Sequence, residues 1–172
     1  MALQTHIVRN ANVLVNGRSL LGQVEEFSGP HIKPKMASFK PLGLVAETEL
    51  QSGFEKMEAK FKFTSIYADV MSVVADFNQE VSVQVRSSVE VYTGSSKTAE
   101  LPYVCYLRGT FKSMETPSFK QLDPSEQASE MNVTYCKIEI NGEEIIELDI
   151  LNNIYKVKGV DKLANYRANL GL

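Results

Sequence analysis

The stretch CKIEINGEEIIELD, residues 136–149, has the pattern of a β-hairpin with one apolar and one charged face. Asn141 and Gly142 form the strongest short hairpin signal, because both residue types accept the positive φ angles of a tight turn. On either side of this pair, apolar and charged residues alternate with a period of two, which is typical of strands buried on one face only. The stretch therefore predicts a sheet that packs on a core with one face and presents a mostly acidic face to water.

The length of the turn decides which residues of the hairpin face each other. A two-residue loop would place Cys136 opposite Glu147 and mix charged with apolar residues on both faces. A three-residue loop over residues 140–142 would place Gly142 in the left-handed position that such loops need, and would set Cys136 opposite Ile146. We therefore predict the three-residue loop.

Three further segments alternate in the same way and extend the sheet. Residues 54–63, 80–92 and 103–112 have apolar residues at every second position over most of their length. Long strands with one wet face are typical of a small sandwich or barrel, in which one sheet covers the core of the other. The residues predicted to face inward are Met57, Ala59, Phe61, Phe63, Val81, Val83, Val85, Val89, Val91, Tyr103, Cys105, Leu107 and Phe111.

Two segments have helical spacing instead. The first predicts an amphipathic helix of about three turns outside the sheet, capped by Thr64 or Ser65, with a stripe formed by Ile66, Val70, Val73, Val74 and Phe77. The second predicts a C-terminal helix of about ten residues, capped by Asp161 and closed by Gly171. Because so short a helix is marginal alone, it must dock either on its own sandwich or on a neighbouring copy.

Residues 28–43 interrupt the strand pattern with three prolines and two glycines. Pro34 and Pro41 cannot donate backbone hydrogen bonds, so a central strand is excluded and a long loop or an edge segment is predicted. A loop of this length is uncommon in a compact domain unless it has a function.

The totals favour one globular domain over residues 1–172. A net charge of −3 argues against a protein that grips nucleic acid through its phosphates. We see no signal peptide and no run long enough to cross a membrane, and we expect folding in a cytoplasm. Cys105 and Cys136 lie at inward positions and are predicted to be buried free thiols rather than a disulfide.

The sequence has no recognisable catalytic motif. His6 and His31 lie in segments predicted to be mobile or loop-like, with no Cys or His at metal-ligand spacing. Neither a glycine-rich phosphate loop nor a nucleophile elbow occurs. We therefore predict no catalytic, cofactor-binding or metal-ligating residue and no enzyme activity.

The C-terminal residues 141–172, NGEEIIELDILNNIYKVKGVDKLANYRANLGL, contain a distinctive combination of motifs. An NGEE turn precedes alternating hydrophobic and acidic residues, then come an asparagine, a GVDKLA segment and a terminal LGL. In this pattern the chain resembles the major tail tube proteins of contractile-tailed phages and R-type tailocins. The resemblance extends to nearly the whole chain through Asn16-Gly17-Arg18-Ser19, Gly22-Gln23-Val24, Arg108-Gly109, Lys112 and Ser118-Phe119-Lys120.

The resemblance implies a mostly β subunit, a β-sandwich or barrel with one flanking helix and a short C-terminal helix. It implies a structural protein whose six copies form a ring, and whose rings stack helically into the hollow inner tube of a contractile tail. Part of each sheet would join those of its neighbours around the lumen. The implied partners are further copies of the chain, the tail sheath protein, and baseplate and tail-terminator proteins. DNA would pass through the lumen without specific binding, and the protein would not insert into a membrane. Such a protein is part of the virion and is assembled in the host cytoplasm.

Three groups of residues are predicted to act in this assembly. Contacts between stacked rings are assigned to Phe39, Lys40, Pro41 and Leu42. The C-terminal arm, residues 152–172, is assigned to docking on neighbours through Tyr155, Leu163, Tyr166 and Leu170. A lumen wall must be acidic or neutral to let DNA pass, and its candidates are Glu47, Glu49, Glu58 and Glu90.

Two alternatives are compatible with the same residues. One is the tube protein of a tailocin or a type six secretion system, which punctures a membrane or carries effectors without DNA. The other is a β-barrel that binds a small ligand in an internal apolar cavity.

Overall fold

The computed structural model describes residues 3–43, 45–117, 119, 121–122 and 125–172, so Ser118 and Lys120 of the family pattern lie outside the described residues. The described chain forms twelve strands and two short helices. The strands are β1 (Gln4–Val15), β2 (Arg18–Ser19), β3 (Val24–Ser28), β4 (Pro34–Phe39), β5 (Thr48–Phe54), β6 (Met57–Phe63), β7 (Val81–Thr93), β8 (Ser96–Met114), β9 (Gln127–Ile140), β10 (Glu143–Asp149), β11 (Ile154–Val157) and β12 (Val160–Asp161). The helices are α1 (Ala68–Val74) and α2 (Ala164–Asn169).

Ten of the strands form one antiparallel sheet that forks at β9. Its main path runs β12-β11-β10-β9-β8-β7-β1-β2. One edge of β9 pairs with β8, while the other edge pairs with β6 over residues 127–133 and with β10 over residues 135–140. β3 extends the β6 branch. The fork lets two branches of one sheet cover a common core, as the sandwich prediction requires.

The predicted alternation of β6, β7 and β8 is confirmed. All of the predicted inward residues are buried except Tyr103, which is partly buried and packs against the core. The aromatic centre of this core is Phe61, whose ring lies 5.1 Å from that of Phe27 and 5.4 Å from that of Phe111. Cys105 and Cys136 are buried and free, as predicted.

The predicted three-residue loop of the 136–149 hairpin is wrong. Ile140 pairs with Glu143, so the loop has two residues, and Asn141 and Gly142 adopt φ angles of 53° and 78°. The register then shifts at a bulge between Glu144 and Ile146, which brings Leu148 opposite Cys136. A bulge inserts one extra residue into one strand, and this restores an apolar face that an unbroken two-residue register would have scrambled.

Both helices are shorter than predicted. α1 has seven residues, with Val70 and Val74 buried, whereas Ile66 and Phe77 lie beyond its ends and are exposed. Its N-cap is Tyr67, with no side-chain capping bond, so the predicted cap at Thr64 or Ser65 is wrong. The helix ends early where the Asp76 carboxylate accepts the Asn78 N–H, a local bond that competes with helical pairing.

The C-terminal helix α2 has six residues and begins two positions later than a cap at Asp161 would allow. Asp161 instead accepts the Leu163 N–H at 2.9 Å and pairs with Arg167. Gly171 follows the helix with a φ of +76°, so the predicted glycine closure is confirmed. Within the described residues, neither helix is long or apolar enough to cross a membrane.

The proline-rich segment contains a strand as well as loops. β4 begins at Pro34 and pairs with β5 in a two-stranded ribbon that is separate from the main sheet. His31 lies in the loop before it, as predicted. His6, predicted to be mobile or loop-like, instead lies in β1 opposite Val91.

Candidate functional site

The first candidate assembly surface is the outer edge of β1. Over Gln4–Val8 this strand pairs with β7 on one side and, among the described residues, with no strand on the other. The Leu3 carbonyl accepts the Gly94 N–H and therefore points toward β7. Because backbone groups alternate sides along an antiparallel strand, the N–H and C=O groups of Gln4, His6 and Val8 point outward.

A bulge ends this open edge. The pairing of β1 with β7 shifts between Val8 and Ala11, and the Asn10 side chain accepts the Ala11 N–H at 2.8 Å. Bulges and local caps of this kind normally block a sheet edge. The unblocked part is therefore Gln4–Val8, which we call the β1 edge. Sequence reasoning missed it, because a strand's free side depends on its partners in the fold.

The second candidate surface is the ribbon formed by β4 and β5. Every residue of β4 and all of β5 except Phe54 are exposed, including the apolar side chains of Met36, Phe39 and Leu50. Phe54 packs against the main core, but a two-stranded ribbon whose other side chains are all exposed is marginally stable in water. This element is therefore suited to be covered by another molecule.

The predicted ring-contact residues lie at the end of this ribbon. Phe39 is the last residue of β4, and Lys40, Pro41 and Leu42 follow it into the turn. Leu42 is fully exposed and Phe39 is about half exposed. Lys40 forms an ion pair with Glu47 at 2.8 Å, which together with the Ser38 hydroxyl lowers the pKa of the Glu47 carboxyl. The ribbon tip therefore exposes the apolar side chains of Phe39 and Leu42 beside an ion pair whose two charges cancel.

The C-terminal arm divides into a bound and an exposed part. Tyr155 lies in β11 within the main sheet, with its ring 4.9 Å from that of Phe54 in an edge-to-face contact. Leu163 is half-buried, and Arg167 donates to the Asn153 carbonyl at 2.8 Å. Tyr166 and Leu170 are about half exposed. The arm is thus anchored on its own chain, while its outer side remains open.

The four lumen candidates are not brought together. Glu47 precedes β5 and Glu49 lies within it, whereas Glu58 lies on the outer face of β6 and Glu90 lies in β7. Glu58 is paired with Lys112 at 2.7 Å and with Lys56 at 2.8 Å, and these cations lower the pKa of its carboxyl to about 2.

Glu90 is also neutralised by its neighbours. Lys97 and Arg9 each lie 3.1 Å from its carboxylate, and the Tyr92 hydroxyl donates to it at 3.0 Å. Lys97 and the Tyr92 hydroxyl lower the pKa of Glu90. Three of the four candidate glutamates are therefore half of an ion pair rather than bare negative charges.

Ion pairs continue across the outer face of β3, β6, β8 and β9. The lysines of this cluster are Lys56, Lys60, Lys62 and Lys112, and its carboxylates are Glu25, Glu58, Glu126 and Glu130. The numbers of lysines and carboxylates in this cluster are equal, so the cluster has no net charge. Exposed pairs of this kind add little stability, so their main effect is on the surface potential.

The hairpin that was predicted to be mostly acidic is similarly compensated. Lys137 lies 2.8 Å from Glu139, and Lys156 lies 2.7 Å from Glu147. Asp149 is buried, where it accepts from Arg108 at 3.3 Å and from the Asn152 side chain at 2.8 Å. On the wet face of this hairpin Glu139 and Glu147 are therefore paired with lysines rather than left as bare carboxylates.

A β-barrel that binds a small ligand would need an internal cavity with a volume large enough to hold that ligand. The apolar cavity beneath α1, lined by Val15, Phe63, Val70, Val74 and Phe111 among others, measures about 40 Å³. Ligand pockets typically measure about 300–1,000 Å³. A wider groove of about 610 Å³ lies between the end of β5 and α2, but it is open and lies on the surface.

Comparisons with known proteins agree with these features. The family model described as phage tail tube protein FII matches residues 5–171. The chain is 26% identical over 167 residues to the tail tube protein of Escherichia phage P2, covering 94% of each chain. A chain of the sheath-tube complex of an extracellular contractile injection system, PVC, in its extended state has the same fold, with a TM-score of 0.57 at 12% identity. That match covers 75% of this chain and 87% of the other. A chain of the PVC sheath/tube terminator matches with a TM-score of 0.57 at 10% identity, over 75% and 92% of the two chains. The predicted mostly β fold is confirmed.

Proposed function

The chain belongs to the phage tail tube protein FII family, and from this we propose that six copies form a ring and that rings stack into the inner tube of a contractile tail. The proposed unit is a single tube domain over residues 1–172. Its role is structural rather than enzymatic, within the virion. Assembly would take place in the host cytoplasm.

The observation that carries this proposal is the exposed β4–β5 ribbon. Its backbone forms an antiparallel ladder with one register shift, yet apart from Phe54, which packs against the main core, its side chains are exposed. Ordering a ribbon in this way costs conformational entropy that its own contacts do not offset. Contacts with other copies would supply the missing burial.

The ribbon and the β1 edge are different surfaces, which favours a ring. When one surface of a subunit binds a different surface of the next copy, the contact is head-to-tail. Such contacts close into rings when the rotation between copies divides a full turn. The family resemblance supplies the number six.

Stacking of rings is assigned to the ribbon tip, and docking on neighbouring copies is assigned to the outer side of α2. Phe39 and Leu42 are the apolar anchors at the tip, flanked by Lys40 and Pro41. Tyr166 and Leu170 expose an apolar stripe on α2. Tyr155 and Leu163 would support this stripe from within the subunit, because they are partly covered by their own chain.

The tube would act as a passive conduit for DNA. A basic wall would bind phosphates and hold the DNA, whereas a paired or slightly acidic wall would not. Where they lie on the lumen, the ion-paired Glu47, Glu58 and Glu90 and the lysine–glutamate cluster with no net charge would form a wall of the second kind. At physiological salt their effect reaches only about 8 Å into the lumen. Glu49 would add a negative charge without an ion pair among the described residues.

Partners beyond the chain itself follow from this role. The tail sheath protein would surround the tube, and baseplate and tail-terminator proteins would contact its two ends. DNA would pass without specific binding, and no membrane insertion is involved. The sheath-tube and terminator structures of similar fold support this arrangement.

A second candidate is a tube that delivers protein or punctures a membrane without carrying DNA. It is favoured by the fold similarity to subunits of an extracellular contractile injection system. The subunit contacts would be the same in both cases. DNA protection from nuclease in purified particles would support the first candidate, and particles free of DNA would support the second.

Negative-stain electron microscopy of the purified protein tests the proposal directly. We expect rings and hollow tubes, and solely monomeric particles at high concentration would refute it. The double variant Phe39→Ser/Leu42→Ser should retain rings but lose long tubes. Phe77→Ser is the matched control, because Phe77 is as exposed as Phe39 and lies outside the ribbon and the arm.

The role of the arm needs a truncation that respects the sheet. β11 pairs with β10 and β12 pairs with β11, so removing residues 152–172 would also remove these two strands from the main sheet. Removing residues 164–172 deletes α2 alone. We expect a folded subunit that forms no long tubes, and unchanged tubes would contradict the proposed docking role of the arm.

A further inference from the structure

We propose that β5 of one copy pairs, backbone to backbone, along the β1 edge of a second copy. This inference rests on the proposed self-assembly and names the strands that make its lateral contact. β5 would continue the sheet beyond β1, so that the β4–β5 ribbon of each subunit would become part of its neighbour's sheet.

The β1 edge has the chemistry of an acceptor site for a strand. The outward N–H and C=O groups of Gln4, His6 and Val8 form a regular row with no strand opposite them in the described chain. Such a row pairs readily with an extended segment. It ends at the Asn10–Ala11 bulge, which limits the site to about five residues.

Of the two ribbon strands, β5 has the outer edge that no proline interrupts. The Glu55 N–H donates to the Lys33 carbonyl, so residues 33 and 55 form a hydrogen-bonded pair and Pro34 points away from β5. A proline has no N–H, and proline is a common means of blocking a strand edge. The first outward position of β4 therefore cannot donate a backbone hydrogen bond to another strand.

The same alternation identifies the outward groups of β5. A register shift between Lys35 and Met36 leaves Ser52 without a partner on β4. Beyond it, Met36 faces Gln51 and Ser38 faces Glu49 in pairs whose backbone groups point outward. β5 therefore presents the N–H and C=O groups of Glu49 and Gln51, and no proline interrupts them.

Charge also favours β5 over β4. β1 contains no acidic residue, and Arg9, which directly follows the β1 edge, remains largely exposed although it touches Glu90. β5 contains Glu49 and no basic residue, whereas β4 contains Lys35 and no acidic residue. Opposite charges across a strand pair stabilise it and like charges destabilise it.

Exposed apolar groups on both strands would be covered by this pairing. Val8 on β1 is 57% exposed and Leu50 on β5 is 53% exposed. Next to Val8, a groove of about 350 Å³ runs between β1 and β3, with Val13, Leu20 and Phe27 among its lining residues. A strand added along β1 would lie beside this groove and shield it from water.

Proline substitutions test the backbone contact. His6→Pro removes an N–H that has no strand partner in the subunit, so the subunit should remain folded, as judged by circular dichroism, while assembly falls about tenfold or more. His6→Thr is the control, because it changes the side chain and keeps the N–H. Sedimentation of assembled material measures the loss.

The ribbon offers an internally matched pair of variants. Glu49→Pro removes an outward N–H from β5, and Ser38→Pro removes one from the directly opposite position of β4. We expect Glu49→Pro to abolish assembly and Ser38→Pro to preserve it. Equal effects of the two, or loss only with Ser38→Pro, would overturn the assignment to β5.

Cross-linking tests the proximity of the two strands. Cys105 and Cys136 are buried, so cysteines introduced at exposed positions are the reactive thiols. In a parallel pairing Val8 would share a face with Leu50, and in an antiparallel pairing it would share a face with Gln51. Val8→Cys protein is therefore mixed either with Leu50→Cys or with Gln51→Cys protein and treated with a short bis-maleimide. One of the two mixtures should give covalent dimers that no variant gives alone. Dimers of Val8→Cys alone would indicate that two β1 edges pair instead and would refute the proposal.

The outcomes separate this inference from the proposed function. If wild-type protein forms tubes and the mixed variants form tubes without cross-linking, the strand assignment is wrong and the tube function stands. If wild-type protein forms neither rings nor tubes, the proposed function itself is wrong, and the strand pairing falls with it.

Discussion

Replacing Gly109 with alanine should destabilise the subunit more than replacing any of its other glycines with alanine. Gly109 lies in β8 opposite Val133, beside the bulge that offsets β8 from β9. A Cβ atom built there overlaps the Asn132 carbonyl oxygen and lies 2.9 Å from the Asn132 carbonyl carbon and 3.0 Å from Val133 Cα. All of these are backbone atoms, which cannot rotate away as a side chain would.

The size of the effect follows from what must move. β8 and β9 would have to separate locally, which strains the buried residues Leu107, Phe111 and Val133 around the site. Overpacking of this kind costs about 1–3 kcal/mol. Loss of about two ladder hydrogen bonds adds about 1 kcal/mol each. We therefore expect a loss of about 3–5 kcal/mol from the free energy of unfolding, which is typically about 5–15 kcal/mol for a whole domain.

Urea unfolding of dilute, unassembled protein, followed by circular dichroism, measures this loss. With a urea dependence of about 2 kcal/mol/M, the midpoint should fall by about 2 M. Gly94→Ala is the control, because Gly94 has a φ of +63° and no atom within 4 Å of an added Cβ. It should lose about 1 kcal/mol through backbone strain alone. A Gly109→Ala protein within about 0.5 kcal/mol of wild type would refute the reasoning, whereas failure of Gly109→Ala alone to fold would support it.

Three further predictions concern charge and packing. Lys112→Met should raise the pKa of Glu58 from about 2 toward its usual value, as measured by NMR titration of its carboxyl carbon. In the wild-type protein, the stabilisation from ionised Glu58 is present above pH 4.5 and is lost as the pH falls toward 2. Burial raises the pKa of Tyr135 to about 12, helped by the hydrogen bond that its hydroxyl donates to Glu147. Tyr135→Phe should therefore leave the tyrosinate absorbance of the folded protein at pH 11 unchanged. The stabilisation from the neutral phenol is present below pH 10 and is lost as the pH rises toward 12. Phe61→Ala should cost about 3–5 kcal/mol in urea unfolding, because the Phe61 ring is buried against three other phenylalanines, and a cost below 1 kcal/mol would contradict its central place in the core.

The core was predictable because its signal is local. Met57, Ala59, Phe61 and Phe63 alternate with charged residues, and period-two burial needs no knowledge of which strand lies next to them. The valines of β7 follow the same rule. Such positions are set by the pleat of the strand itself, so the sequence was sufficient to identify them.

Register and edges were not predictable in the same way. The 136–149 hairpin has the two-residue turn that Asn141 and Gly142 favour, and the bulge near Ile145 compensates for its register. Nothing in the sequence marks that bulge, because it depends on how β10 meets its partners. Likewise, His6 resembles a terminal loop residue until β7 is seen beside it.

The candidate assembly residues were found in part. The proline-rich segment was recognised as an edge or loop element, and Phe39 and Leu42 are indeed exposed on it. The C-terminal arm was treated as one unit, but Tyr155 belongs to the main sheet while Tyr166 lies on its outside. The difference arises because β11 pairs with β10, a long-range contact that a helical stripe does not reveal.

The forked strand β9 also bears on how the subunit resists force. Because β6, β8 and β10 all hydrogen-bond to this one strand, β9 is held along both of its edges, and neither branch of the sheet can separate without breaking a ladder on β9. A force applied to any of these strands is transmitted to β9. Amides of β9 should consequently exchange with deuterium only when the whole subunit opens, which makes the subunit a single mechanical unit rather than two hinged layers.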